Sequence, residues 1–324
     1  MNTRCNRRAF LALVSARLVP AQEPVTRPVV SEEACPLESI APVSKDGHRG
    51  QGLLRKPPGA GPFPAVVCIH AGLKGLSSHE LLQLARSVTP SRFLAAGYVT
   101  AVPTYRSRDD DPQSPVSLED SLAVIDHVKR QAYVDPKSVV VFGCSGGGDL
   151  ALQAAGNTEV CAIVPEEPAS MLTAGMFNRH SPKKRERYDP DDARPMVENP
   201  RAFYTDEYRK ILRDKLARIQ CPILIIQGDD GSPLNKFNAQ VLMPELRALR
   251  KAVKVIAYPG EVHCFCLYGD HVPWEPNRAA NTPVALKAFR DCEAFFRQHY
   301  LACARSVGGT PNLRQTWEVT PARI

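Results

Sequence analysis

The sequence predicts a doubly wound, mostly parallel α/β sheet flanked by helices. Three observations lead there. Short apolar runs at 64–70, 98–103, 139–142, 160–164, 221–226 and 253–258 alternate with stretches of helical periodicity. The runs are near-continuous rather than alternating, as expected of parallel strands buried on both faces. The run at 139–142 ends abruptly in Gly143-Cys144-Ser145-Gly146-Gly147 and passes directly into an apolar helical stretch from Asp149 to Ala155.

Taken in order, residues 1–21 read as an export signal. Arg4, Arg7 and Arg8 precede an apolar run, Val19-Pro20-Ala21 offers a small-residue cleavage site, and Arg7-Arg8-Ala9-Phe10-Leu11 has the look of a twin-arginine signal. This makes a periplasmic or secreted protein the expectation, with a cytoplasmic one as the alternative. Residues 22–43 read as a linker, and 44–304 as one catalytic domain beginning with a turn and an edge strand before the Gly/Pro loop near Gly59. A helix is expected over 79–96. Ser117-Leu118-Glu119-Asp120 suggests a capped helix start, with Leu122, Val124, Ile125 and Val128 on its apolar face. An insertion after the sixth strand, residues 166–216, breaks the rhythm, and a long segment at this end of a sheet shapes binding. Helices are expected over 205–218, 238–251 and 283–303, and residues 305–324 read as a loose tail.

The 324 residues carry a net charge of +7, and Arg4, Arg7, Arg8 and Arg17 supply much of it. Without them +3 remains, too mild to argue for a nucleic-acid partner. No segment has the length of a membrane span. Oligomeric state is not written in the sequence. Cys68, Cys161 and Cys221 sit in strand-like runs as small hydrophobes, and if Cys5 leaves with a signal, nine of the ten cysteines remain and at least one stays unpaired. His263-Cys264-Phe265-Cys266 has zinc-ligand residue types but lacks a second paired cysteine motif at zinc spacing, so no metal is expected.

A serine held on a sharp strand-to-helix turn is the arrangement a nucleophile elbow requires, and Gly143 and Gly147 leave room for the close backbone packing of that turn. Ser145 is the candidate nucleophile. Cys144 is the other possibility, but the position two before it is Phe142 where a glycine is needed. The base is expected on the loop after the last strand, where Pro259-Gly260-Glu261-Val262-His263 places His263. The acid is expected after the strand at 221–226: Asp230 is the first choice, Asp229 the reserve, and Glu166 or Glu167 after the preceding strand a distant third. The oxyanion needs two backbone N–H groups. Gly146 supplies one, and Gly72 or Leu73, after the strand ending at His70, the other. Tyr105 and Arg106 are candidate substrate contacts.

Together these residues resemble the α/β-hydrolase superfamily, and within it the dienelactone hydrolase and prolyl oligopeptidase-type catalytic domains. The resemblance rests on Gly61-Pro62-Phe63-Pro64, Pro103-Thr104-Tyr105-Arg106-Ser107, Tyr133-Val134-Asp135-Pro136, the elbow, Gln227-Gly228-Asp229-Asp230 and Pro259 to Phe265. It implies an α/β-hydrolase fold and a Ser145–Asp230–His263 triad working without cofactor or metal. Two departures stand out. His70-Ala71-Gly72 replaces the usual His-Gly-Gly, and the acid loop is one residue short. Too few residues precede position 44 for the β-propeller of the peptidases. The expected activity is therefore cleavage of a small carboxylic ester or lactone. The alternatives are a small-peptide or aminoacyl-peptide hydrolase and a non-catalytic binding protein of the same fold.

Overall fold

Among the described residues, eight strands form one sheet in the order β1-β2-β4-β3-β5-β6-β7-β8. The structure is a computed structural model and describes residues 31–108, 111, 113–176, 195–228, 232–268 and 283–305. The signal expected at 1–21 and the tail at 306–324 lie outside these residues. The strands are β1 (Glu38–Ile40), β2 (Gln51–Arg55), β3 (Phe63–Ile69), β4 (Val99–Thr104), β5 (Val134–Cys144), β6 (Ala162–Glu166), β7 (Ile223–Gly228) and β8 (Val253–Tyr258). The β1/β2 and β2/β4 pairs are antiparallel and the remaining pairs parallel. The fold is that of the α/β hydrolases, with the insertion following β6 as the sequence suggests.

The strand sequences explain the layering. Along β3, Ala65, Val67 and Ile69 enter one apolar layer while Val66 and Cys68 enter the other. Along β5, Val139 and Val141 face the first layer and Val140, Phe142 and Cys144 the second. Strands buried on both faces need such unbroken apolar runs. Helices α3 (Val116–Lys129) and α4 (Gly146–Ala155) cover the first face, and the closing helix Pro283–Arg305 covers the second.

Several local expectations are corrected. The outermost strand β1 and the buried Cys35, whose carbonyl accepts from Arg55 Nε at 3.1 Å, lie within the stretch read as linker. The single helix expected over 79–96 is two, α1 (Ser78–Ala85) and α2 (Val88–Ala95). Pro90 lacks an N–H and is tolerated only in a first turn, so the helix restarts just ahead of it. The capping pattern read at Ser117 is not used: α3 begins at Val116, and buried Ser117 donates to the Arg106 carbonyl at 2.8 Å. The capping box lies instead at Ser77 and Glu80 on α1. The helical run before β8 begins at Pro233, earlier than expected, and carries a π-turn at Asn238–Leu242. The described parts of the insertion pack into the fold. Met171, Leu172, Ala174, Met176, Met196 and Val197 are buried, and the helix Asp206–Ala217 buries Leu212 and Leu216.

Candidate active site

Ser145 stands between the end of β5 and the first turn of α4 with φ 54° and ψ −114°. A positive φ is costly for a residue with a side chain and persists only where the surroundings enforce it. Here they do: the Ser145 N–H donates to the Glu166 carbonyl, while its own carbonyl accepts from Asp149 and Ala169, all at 2.9 Å. The flanking glycines are there for contact. A Cβ on Gly143 would strike the Gly147 carbonyl, and one on Gly147 would strike the carbonyls of Ile69 and His70. The elbow read from the sequence is in place.

His263 lies on the loop after β8, half-buried, and its Nδ1 is 2.5 Å from Oε2 of Glu167. Glu167 is fully buried. It is held at φ 42°, its N–H donating to the Ile226 carbonyl at 2.9 Å, while its other oxygen accepts from the Gly228 N–H at 2.6 Å. Asp229 and Asp230 lie outside the described residues. The group the structure brings to the histidine is the one ranked last from the sequence. Its neighbour Glu166, also buried, accepts from the backbone N–H of Cys266 at 2.7 Å and of Leu267 at 2.9 Å. The histidine loop crosses the end of β7 on the way, since a Cβ on Gly228 would strike the Glu261 carbonyl.

A disulfide joins Cys144 to Cys264, with Cα atoms 5.6 Å apart. This takes Cys144 out of contention as a nucleophile and Cys264 out of any zinc set. Cys35, Cys68, Cys161, Cys221, Cys266 and Cys292 are not disulfide-bonded. Among the described residues, no group of three or more His, Cys, Asp or Glu side chains is placed to hold a metal ion.

The two oxyanion segments are packed together. Gly72 has φ 88°, and a Cβ on Gly146 would strike the Gly72 carbonyl. Gly146 is the first residue of α4, where the backbone N–H has no acceptor within the helix. Tyr105, read as a candidate substrate contact, is buried and turned to the oxyanion loop. Its hydroxyl donates to the carbonyls of Gly72 at 2.9 Å and His70 at 3.2 Å, and its ring stacks on His70 at 4.0 Å. Burial pushes His70 down to about 4, so the ring is neutral at ordinary pH. Arg106, the other candidate substrate contact, is held by Asp120 at 2.9 Å and by Asp46 at 2.5 Å. Asp120 is buried and draws the guanidinium toward α3.

Sequence reasoning missed Arg108. Its backbone N–H donates to the Leu73 carbonyl at 2.9 Å, and its buried guanidinium reaches the Gly146 carbonyl at 3.1 Å and Asp149 at 3.2 Å. Asp149 also accepts from Thr173 at 2.5 Å and Gln153 at 2.9 Å. Arg108 thus braces both segments that carry the candidate oxyanion donors.

An elbow serine, a histidine on a buried carboxylate and paired backbone segments beside the serine define the catalytic architecture of the α/β-hydrolase fold. The chain belongs to the prolyl oligopeptidase family, whose model matches residues 111–280. It is 25% identical to acyl-coenzyme A amino acid N-acyltransferase 2 of Rattus norvegicus over 293 residues, covering 78% of this chain and 64% of the relative. It is 24% identical to acyl-coenzyme A thioesterase 6 of Homo sapiens over 274 residues, covering 75% and 62%. The chain thus spans less than two thirds of the length of these relatives. Among solved structures, an esterase of Pyrobaculum calidifontis superposes with a TM-score of 0.54 at 19% identity, covering 81% of this chain and 85% of that one. A Klebsiella pneumoniae protein assigned as a dienelactone hydrolase gives 0.54 at 19%, covering 82% and 99%.

Proposed function

We propose that the protein is a serine hydrolase that cleaves a small carboxylic ester or lactone through an acyl-enzyme on Ser145. The observation that carries this reading is Glu167 Oε2 at 2.5 Å from His263 Nδ1, on a loop beside the strained elbow serine. With Nδ1 directed at the carboxylate, Nε2 is left to take the serine proton, and the buried charge of Glu167 stabilises the imidazolium that results. Ser145 attacks the acyl carbon, the oxyanion rests on the N–H groups of Gly146 and of Gly72 or Leu73, and water then releases the acid. In this triad Glu167 is the acid, in the role expected of Asp230 from the resemblance.

The test is labelling of purified protein with a fluorophosphonate probe, beside Ser145→Ala and His263→Ala. Labelling that disappears in both variants supports an activated serine; unlabelled, folded wild-type protein overturns the reading in favour of a binding protein. Matched ester, thioester and amide substrates then rank the chemistry. The family and a relative described as the uncharacterized peptidase YtmA of Bacillus subtilis, 22% identical over 232 residues, favour the amide arm as a second reading. Faster amide than ester cleavage would establish it. Export remains the proposed location, supported by a buried disulfide of the kind that persists in oxidising compartments.

A further inference from the structure

In the sheet, the strands that present Ser145 and His263 are not neighbours: β6 and β7 lie between β5 and β8. No ladder hydrogen bonds therefore link the elbow to the base. The histidine loop must reach back across two strand ends, and it is fastened at three consecutive places. Glu167 meets His263, Glu166 receives the N–H groups of Cys266 and Leu267, and Cys144 bonds Cys264. The third fastening is covalent. It joins the residue immediately before the nucleophile to the residue immediately after the base, 120 positions apart in the chain. Both ends are backbone positions that resist relaxation only while held: Ser145 has φ 54° and Cys264 φ 62°. Both sulfur-bearing residues are fully buried against Phe142, Phe265 and Cys266 in the layer under the closing helix.

We propose that the Cys144–Cys264 disulfide is a positioning crosslink of the catalytic site, so that the serine is fully activated only in the oxidised protein. The inference rests on the serine-hydrolase reading. The bond forms by thiol–disulfide exchange, in which the two thiols pass two electrons and two protons to an oxidised dithiol partner. A dithiol reductant reverses it, regenerating both thiols and leaving with its own sulfurs bonded. In the reduced state the loop loses this covalent fastening and keeps only non-covalent ones, and His263 drifts from the serine. A misplacement of about 1 Å costs on the order of a hundredfold in rate.

The experiment compares the full chain before and after reduction with dithiothreitol in sub-denaturing urea, followed by removal of both, and includes Cys144→Ala/Cys264→Ala. Alkylation under denaturing conditions counts the thiols at each stage. The expected result is a fall in kcat and in fluorophosphonate labelling of about a hundredfold on reduction, with KM within about twofold. Amide exchange over 261–268 should quicken, and re-oxidation should restore the original rates. The double variant should show the low rate with or without reductant; if it does not fold, the reduced wild-type protein carries the same comparison. Equal labelling before and after reduction overturns the crosslink while leaving the hydrolase reading intact. Free Cys144 and Cys264 thiols in fully active protein overturn it as well. Should the oxidised protein not be labelled at all, the hydrolase reading fails, and unchanged exchange over 261–268 on reduction would separately refute the crosslink.

Discussion

Glu166 and Glu167 are adjacent in the chain, and their buried carboxylates grip one loop at different points, Glu167 at His263 and Glu166 at the N–H groups of Cys266 and Leu267. The two acids thus divide the work. One faces the imidazole, the other holds the backbone that carries it.

That division predicts unequal chemistry. Glu167→Gln should lower kcat by about 10⁴-fold with KM little changed, because the amide no longer stabilises the imidazolium. Asp229→Asn and Asp230→Asn should cost less than about tenfold by comparison. Steady-state kinetics on one ester settles the matter; a collapse in Asp230→Asn with Glu167→Gln near wild type would return the role of acid to Asp230.

Tyr105→Phe should slow turnover without touching substrate. The change removes both hydroxyl bonds to the carbonyls of His70 and Gly72 and leaves the stacked ring. We expect a stability loss of about 1–2 kcal/mol. A fall in kcat larger than any rise in KM would be read as a displaced oxyanion loop, whereas a pure KM effect would place the tyrosine in substrate binding.

Arg108→Met should be among the most destabilising single changes. It strands the fully buried Asp149 carboxylate beside Thr173 and Gln153, and breaking a buried pair from one side costs about 3–5 kcal/mol. Arg108→Met combined with Asp149→Leu should recover much of that loss in a urea melt. Additive losses in the double variant would contradict the pairing.

His70 gives a pH window. Folding lowers it from 6.5 to about 4, so between those values the unfolded chain takes up a proton that the folded chain refuses. Stability therefore rises with pH across that window, and the loss, roughly 3 kcal/mol in full, is complete below about pH 4. The advantage of wild type over His70→Gln in urea melts should shrink as pH falls from 7 to 4. A pH-independent gap between the two would show that His70 titrates normally.

The parts of the site that were legible in the sequence are those written as local pattern. Gly143-Cys144-Ser145-Gly146-Gly147 between an apolar strand and an apolar helix has few other uses, and His263 follows the last strand. Glu167 was not legible, since Pro165-Glu166-Glu167-Pro168 reads as the start of an excursion while Asp229 and Asp230 occupy the place the resemblance favours. The Cys144–Cys264 pairing was equally hidden, because many cysteines admit too many pairings to choose among from spacing. The partners of Tyr105 and Arg106, the oxyanion-loop carbonyls and the Asp46 and Asp120 carboxylates, are not legible either, as nothing in a residue's name says which way it turns. Arg108 could have been suspected from one clue alone: an arginine beside a strand end needs a buried acid, and Asp149 sits in the first turn of α4.

The strand order also sets a timetable for the living cell. A ribosome delivers Ser145 first and Glu167 soon after, but His263 arrives only behind β8, the strand at the far edge of the sheet. Domains generally fold as units, so the site is assembled only when its later strands are available. On the serine-hydrolase reading, a nascent chain that has not reached residue 263 displays a serine with no base to arm it, and competence to react arrives only once the loop after β8 has been made.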